Sequence, residues 1–176
     1  MAYVQAFPHF RVRHRYLKAT CQEKITRLGT DLVWIPEIEQ SVVQFGDRYL
    51  QRMFSLQELQ DCRQGQQLNY QKLAARVAAK EATMKILGLN KDTALPWNSI
   101  EVTRNANGLP GLRLHREAQA LARTARLGEC ILSLSHEHEY AIATVIANVN
   151  VRVMDKTHRN TRSSSNEVTI IHVDQR

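Results

Sequence analysis

Apolar residues recur along the chain with two different periods, and the changes between them mark out the elements. From Leu28-Gly29 an extended apolar stretch runs through Asp31-Leu-Val-Trp-Ile and stops at Pro36, whose fixed φ and missing N–H suit the first turn of a helix. This predicts a strand followed by a helix. Ser55-Leu-Gln-Glu58 has capping-box spacing, in which the hydroxyl and the carboxylate each accept from the other residue's free amide, so a short helix follows. Between Leu68 and Leu87 the apolar positions Leu73, Val77, Met84 and Leu87 fit 3.6 residues per turn, and Gly88 stands ready as the C-cap. Ile100-Glu-Val-Thr and Gly111-Leu-Arg-Leu flank Asn105-Ala-Asn-Gly108, a turn chemistry that tolerates positive φ and joins two strands. Arg116 to Leu127 reads as a helix capped by Gly128. The β-rich runs Cys130–Ser135 and Tyr140–Ala147, separated by His136-Glu-His-Glu139, read as an antiparallel pair. Because these elements do not alternate in β-α-β order, the expected class is α+β, in one domain over 28–150.

The ends have a different composition. Residues 1–27 form a basic extension. Residues 151–176 contain Asn160–Asn166, NTRSSSN, which has no apolar side chain to offset ordering entropy and reads as a linker. Beyond it, Val168, Ile170 and Val173 suit a short strand or a docking peptide. No repeat of 20–50 residues is present. The uncharged run Tyr140–Val151 is twelve residues long, against the ~18 or more that a membrane-crossing helix needs, so a soluble protein with no membrane partner is expected.

Composition alone, 43% hydrophobic and 23% charged over 176 residues, fits one globular domain and excludes fibrous and wholly disordered proteins. The net charge of +7 would ordinarily point to a polyanion. Residues 1–28 carry six Lys/Arg and one acid, residues 29–151 thirteen of each, and residues 152–176 five and three. A nucleic-acid-binding domain carries its positive charge on the folded face, and here the folded stretch is neutral, so no nucleic-acid partner is expected. Cys21, Cys62 and Cys130 are odd in number and lack C-x-x-C spacing, which fits a reducing cytoplasm. The Arg-rich start lacks the serines and apolar face of a transit peptide.

Candidate chemistry begins with two carboxylates. Asp31 lies at the edge of an apolar strand, and Glu81 lies mid-helix among Ala78, Ala79 and Ala82. Two carboxylates are a minimal shell for a hard cation such as Mg²⁺, which keeps waters and phosphate oxygens as its other ligands. Isolated acids more often serve as caps or solvated charges, and composition alone favours that reading. Arg76/Lys80 and Glu81/Lys85 are i, i+4 pairs on ridges about 140° apart, which would line two walls of a groove suited to phosphoryl chemistry. The plainer alternative for Glu81 and Lys85 is a surface pair. His136-Glu-His-Glu lacks the second histidine of H-E-x-x-H, since Tyr140 stands there, so zinc is not expected. Ser135 and His136 are adjacent strand residues pointing to opposite faces, which forbids a direct nucleophile–base couple. Trp34 and Trp97 read as packing residues.

Gly29-Thr-Asp-Leu-Val33, Gly46-Asp-Arg, Phe54-Ser-Leu-Gln-Glu-Leu59, Ala75-Arg-Val-Ala-Ala-Lys-Glu-Ala-Thr-Met-Lys85, Asn107-Gly-Leu-Pro110, Leu132-Ser-Leu-Ser-His136 and Tyr140-Ala-Ile-Ala occur in one order and spacing. Together they closely resemble the holo-acyl-carrier-protein synthase family of 4′-phosphopantetheinyl transferases, from about Leu28 to Asn148. The resemblance implies a small antiparallel sheet with a long central helix. It also implies Mg²⁺-dependent transfer of 4′-phosphopantetheine from coenzyme A to a serine of an apo acyl-carrier protein, releasing 3′,5′-ADP. It places Asp31 and Glu81 as metal ligands and Lys85 beside the pyrophosphate or the serine proton. Arg76 and Lys80 take phosphate-contacting positions, Gly108 and Pro110 border the adenine, and Ser135 with His136 lies near the 3′-phosphate. It further implies a homotrimer with coenzyme A sites between adjacent subunits.

Two positions depart from that pattern. Glu37 stands where a basic residue commonly docks the acidic carrier helix, and Glu137 where threonine is frequent, whereas Arg48 and Arg52 remain to complement an acidic partner. A basic nucleic-acid-binding module and an inactive carrier-binding paralogue are the rival readings, and the retained Asp31, Glu81 and Lys85 argue against the second.

Overall fold

The computed structural model describes residues 25–89 and 94–150. The terminal linker and its apolar positions, and the extension before residue 25, lie outside the described residues.

Strand β1 (Ile25–Trp34) begins earlier than the expected boundary at 28, because Ile25, Thr26 and Arg27 continue the antiparallel ladder opposite Val149, Asn148 and Ala147. Helix α1 (Ile35–Met53) carries Pro36 in its first turn, as the sequence predicts. Gly46, at φ 54° and ψ −137°, breaks it into two segments, a conformation that a side chain would resist. Helix α2 (Leu56–Asp61) has the predicted capping box, with Ser55 N–H donating to Glu58 Oε2 at 2.8 Å and Glu58 N–H to Ser55 Oγ at 3.1 Å. Two-residue strands β2 (Arg63–Gln64) and β3 (Gln67–Leu68) lead into helix α3 (Tyr70–Leu87). Asn69 caps α3 by accepting from Lys72 N–H at 2.9 Å, and Gly88 ends it in the left-handed conformation.

Strands β4 (Ile100–Arg104) and β5 (Pro110–Leu114) form the predicted hairpin. Helix α4 (Arg116–Thr124) is shorter than expected: Arg126 sits at φ 52°, and Leu127-Gly128 leaves the helix to join strand β6 (Leu127–Glu137). Gly128 is therefore a strand residue, not the expected cap. Strand β7 (Tyr140–Val149) follows a tight turn, since His136 and Glu137 extend the ladder opposite Ala141 and Tyr140.

The main sheet has the order β1-β7-β6, and α3 crosses one face of it. Small residues set the distance. Ala74, Ala78, Ala79 and Ala82 of α3 and Ala141, Ala143 and Ala147 of β7 are fully buried, so backbone meets backbone closely. A Cβ on Gly29 would collide with the Ala82 carbonyl oxygen, which fixes glycine at that crossing. Leu87, Leu95, Ile100, Ala118 and Ala122 form a second cluster under α4. The opposite sheet face alternates outward, and Leu28, Leu32, Trp34, Ile131, Tyr140 and Ile142 are exposed there. Trp34, expected to pack, is 41% exposed within the protomer.

Candidate active site

The tight crossing of β1 over α3 brings residues far apart in sequence together. Asp31 stands two positions after Gly29, on the same strand face, and Glu81 directly precedes Ala82. Their carboxyls meet. Burial, and next the hydrogen bond and negative charge of Asp31, push the Glu81 carboxyl up to about 7, with Lys85 opposing. Oδ2 of Asp31 is buried and has no hydrogen-bond partner. Two acceptors facing each other without a donor need either a shared proton or a cation between them. The pair therefore fits a hard cation, for which carboxylate oxygens are the right donors.

Lys85, one turn beyond Glu81 on α3, completes the group. Its Nζ donates to Asp31 Oδ1 at 2.8 Å and to the Thr30 carbonyl oxygen at 2.5 Å, while its side chain stays 54% exposed. The plainer surface pair of Glu81 with Lys85 is thus not what forms: the lysine reaches across to the strand.

The other ridge of α3 turns inward, which corrects the expectation for Lys80 and buries Arg76 beside it. Lys80 is fully buried, and its Nζ donates to Glu58 Oε2 at 2.9 Å, to Trp97 O at 3.1 Å and to Ile100 O, 5.7 Å from the centre of the Phe54 ring. All three of its donors are engaged, so none is left for a phosphate. Burial lowers its pKa while Glu58 opposes the shift. Arg76 is 1% exposed, donates to Lys72 O at 3.2 Å and meets Asp61 at 3.5 Å. The 140° between the ridges separates a core face from a site face rather than two walls of one groove.

Glu58 does more than cap α2, the role its spacing from Ser55 predicts. Its Oε2 takes Ser55 N–H and Lys80, and its Oε1 takes Val102 N–H at 3.0 Å. The capping box was visible; the 22-residue reach to Lys80 had no local signal.

Gly108, at φ 79°, lies in the turn of the β4–β5 hairpin and Pro110 starts β5. Ser135 faces outward opposite Ile142, and His136 lies on the α3 side of the sheet opposite Ala141. Asp31 pairs with Ala143 and Ala143 with Leu134, so His136 is two strands over, about 10 Å across the ladder. No hydrogen bond or ion pair among the described residues joins these four to the Asp31 group. A cavity of about 500 Å³ is lined by Phe45, Arg48, Tyr49, Arg52, Met53 and Trp97. Burial, and next the charge of Glu37, raise the Tyr49 pKa, against the lowering effect of a hydrogen bond with Ser41.

The profile of the 4′-phosphopantetheinyl transferase superfamily matches residues 27–145. The chain belongs to this superfamily. A holo-[acyl-carrier-protein] synthase of Koribacter versatilis is 38% identical over 118 residues, covering 67% of this chain and 94% of that protein. The structure is similar to holo-[acyl-carrier-protein] synthase from Helicobacter pylori in complex with coenzyme A, at 26% identity and a TM-score of 0.60, over 69% of this chain and 99% of that one. It is also similar to the synthase–coenzyme A complex of Chronobacterium ammoniagenes, at 27% identity and a TM-score of 0.62, over 72% and 99%. The matched stretch of the phosphopantetheinyl transferase runs from β1 into β7 and contains every site residue named above.

Proposed function

We propose that the chain is a holo-[acyl-carrier-protein] synthase, transferring 4′-phosphopantetheine from coenzyme A to a serine of an apo acyl-carrier protein, with release of 3′,5′-ADP. The observation that carries this reading is the meeting of Asp31, Glu81 and Lys85 at the β1–α3 crossing, in a chain of this superfamily. Asp31 and Glu81 would hold Mg²⁺, which supplies neutralisation of the pyrophosphate charge and a more acidic hydroxyl. The serine oxygen bonds to the phosphorus that bears pantetheine, the bond to the ADP oxygen breaks, and the serine proton leaves to a base. An ammonium has three N–H donors, and two of those of Lys85 are taken by β1. The third is left for the pyrophosphate.

His136 and Ser135 are assigned to the 3′-phosphate side, and Gly108 and Pro110 to the adenine. Since no hydrogen bond or ion pair among the described residues joins the hairpin or β6 to the Asp31 group, a site built between neighbouring subunits of a homotrimer accounts for both. The exposed sheet face with Leu28, Leu32, Ile131 and Ile142 is the surface for that assembly. Arg48 and Arg52, in the lining of the aromatic cavity, suit an acidic carrier of fatty acid synthesis. Cys62 and Cys130 are free, consistent with work in a reducing cytoplasm. The test is incubation with coenzyme A, Mg²⁺ and apo carrier, read by mass spectrometry. A phosphopantetheine adduct on the carrier serine that needs Mg²⁺ supports the reading, and its absence with every carrier tried removes it.

A further inference from the structure

The two oxygens of Asp31 are made inequivalent by their surroundings. Oδ1 accepts from Lys85 at 2.8 Å, and the same ammonium is tied to the carbonyl of the preceding residue, Thr30. Oδ2 is buried and unpartnered. The charged groups acting on the neighbouring Glu81 carboxyl are Asp31 of β1, Lys85 of α3 and Glu37 of α1. One oxygen is thus occupied by a cation of the chain itself while the other has no hydrogen-bond partner.

We propose that Lys85 is a positioning residue that limits Asp31 to one-oxygen ligation and so makes the centre discriminate Mg²⁺ from Ca²⁺. This rests on the Asp31–Glu81 metal reading. Mg²⁺ demands six ligands in near-ideal octahedral geometry and binds through one or two carboxylates plus waters and phosphate oxygens. Ca²⁺ takes six to eight oxygens and gains from bidentate carboxylates. Holding Oδ1 on an ammonium removes a ligand that Ca²⁺ can use and Mg²⁺ does not need. The lysine's positive charge repels both ions equally, since both are divalent, so its through-space effect cancels in the ratio of their affinities.

The experiment is isothermal titration of the full chain at pH 8, without coenzyme A, using Mg²⁺ and Ca²⁺ separately. Wild type, Lys85→Met, Lys85→Gln, Lys85→Arg and Asp31→Ala are compared, each checked for folding by circular dichroism. The Met and Gln variants should bind both ions more tightly, and their Ca²⁺ affinity should rise relative to Mg²⁺ on the order of tenfold, within the span over which ligand count tunes Ca²⁺ sites. Lys85→Arg, which keeps a cationic donor for Oδ1, should hold the ratio near wild type. An unchanged ratio in both neutral variants overturns the proposal and leaves the metal centre standing. Wild type that binds neither ion, or binding that survives Asp31→Ala, overturns the metal centre itself.

Discussion

The Asp31–Glu81 pair ties proton and metal to one site. In the metal-free protein Glu81 keeps its proton up to about 7, well above its unfolded-state value. A carboxyl raised on folding contributes a cost that is absent below the unfolded pKa, grows as pH rises toward the folded pKa, and is complete above it. Mg²⁺ must compete with that proton at low pH and relieves the like-charge contact at high pH. Thermal melts should therefore show a larger stabilisation by Mg²⁺ at pH 8 than at pH 6, and Glu81→Gln should abolish the difference; equal shifts at both pH values in wild type would refute it. Asp31→Ala and Glu81→Ala should each abolish phosphopantetheine transfer with the circular dichroism spectrum retained, because neither residue is a core group. Turnover assays at saturating Mg²⁺ decide this, and activity in either variant removes that residue from the centre. His136→Ala should erase the preference for coenzyme A over its 3′-dephospho form, read as the ratio of kcat/KM values, whereas an unaltered ratio leaves His136 without that role.

Elements, more than residues, were legible in the sequence, and the reason is physical. Strand β1, the capping box at Ser55–Glu58, helix α3 with Gly88, and the β6–β7 pair each follow from local periodicity or cap chemistry. The misplaced end of α4 is a tertiary override: Leu127 is drawn into the sheet and both apolar clusters, and the local helix pattern yields. The role of Lys80 was illegible, because a basic residue on a helix signals exposure unless a buried acid is brought to it from elsewhere, as Glu58 is. Lys80→Met should leave the Glu58 charge buried and unpaired and lower the unfolding free energy by about 3–5 kcal/mol in denaturant titration. A loss below about 1 kcal/mol would mean that Glu58 finds another partner or a proton. The small residues between β1 and α3 carry the site geometry. Gly29→Ala should push β1 off Ala82, weakening Mg²⁺ binding and stability together, while the same change at the open Gly65 should leave Mg²⁺ binding alone.

At the scale of the whole molecule, the sheet has one face built for α3 and another that the described residues leave apolar and uncovered. Register explains the pattern. Leu28, Ile146 and Ile131 align across the three strands in one row, and Leu32, Ile142 and Ser135 in another, with Thr30, Thr144 and Ser133 between them. One row is aliphatic on all three strands and Leu32 with Ile142 adds a second apolar pair beyond a row of hydroxyls, an exposed apolar surface that a small domain seldom leaves open to water. The proposed homotrimer covers it and at the same time supplies the site elements that one protomer keeps apart. Ile131 is the residue on which to test this, since it is 67% exposed, sits on the strand farthest from Asp31 and touches neither α3 nor the metal ligands. Ile131→Glu would place a charge in the apolar row, where assembly would have to desolvate it, at a cost of several kcal/mol. Sedimentation should then show wild type at three times the 20.2 kDa chain mass and the variant at one, with the circular dichroism spectrum retained and coenzyme A affinity lost. A wild type that sediments as a monomer yet transfers phosphopantetheine would place the complete site within one chain, and the apolar face would then need a different occupant.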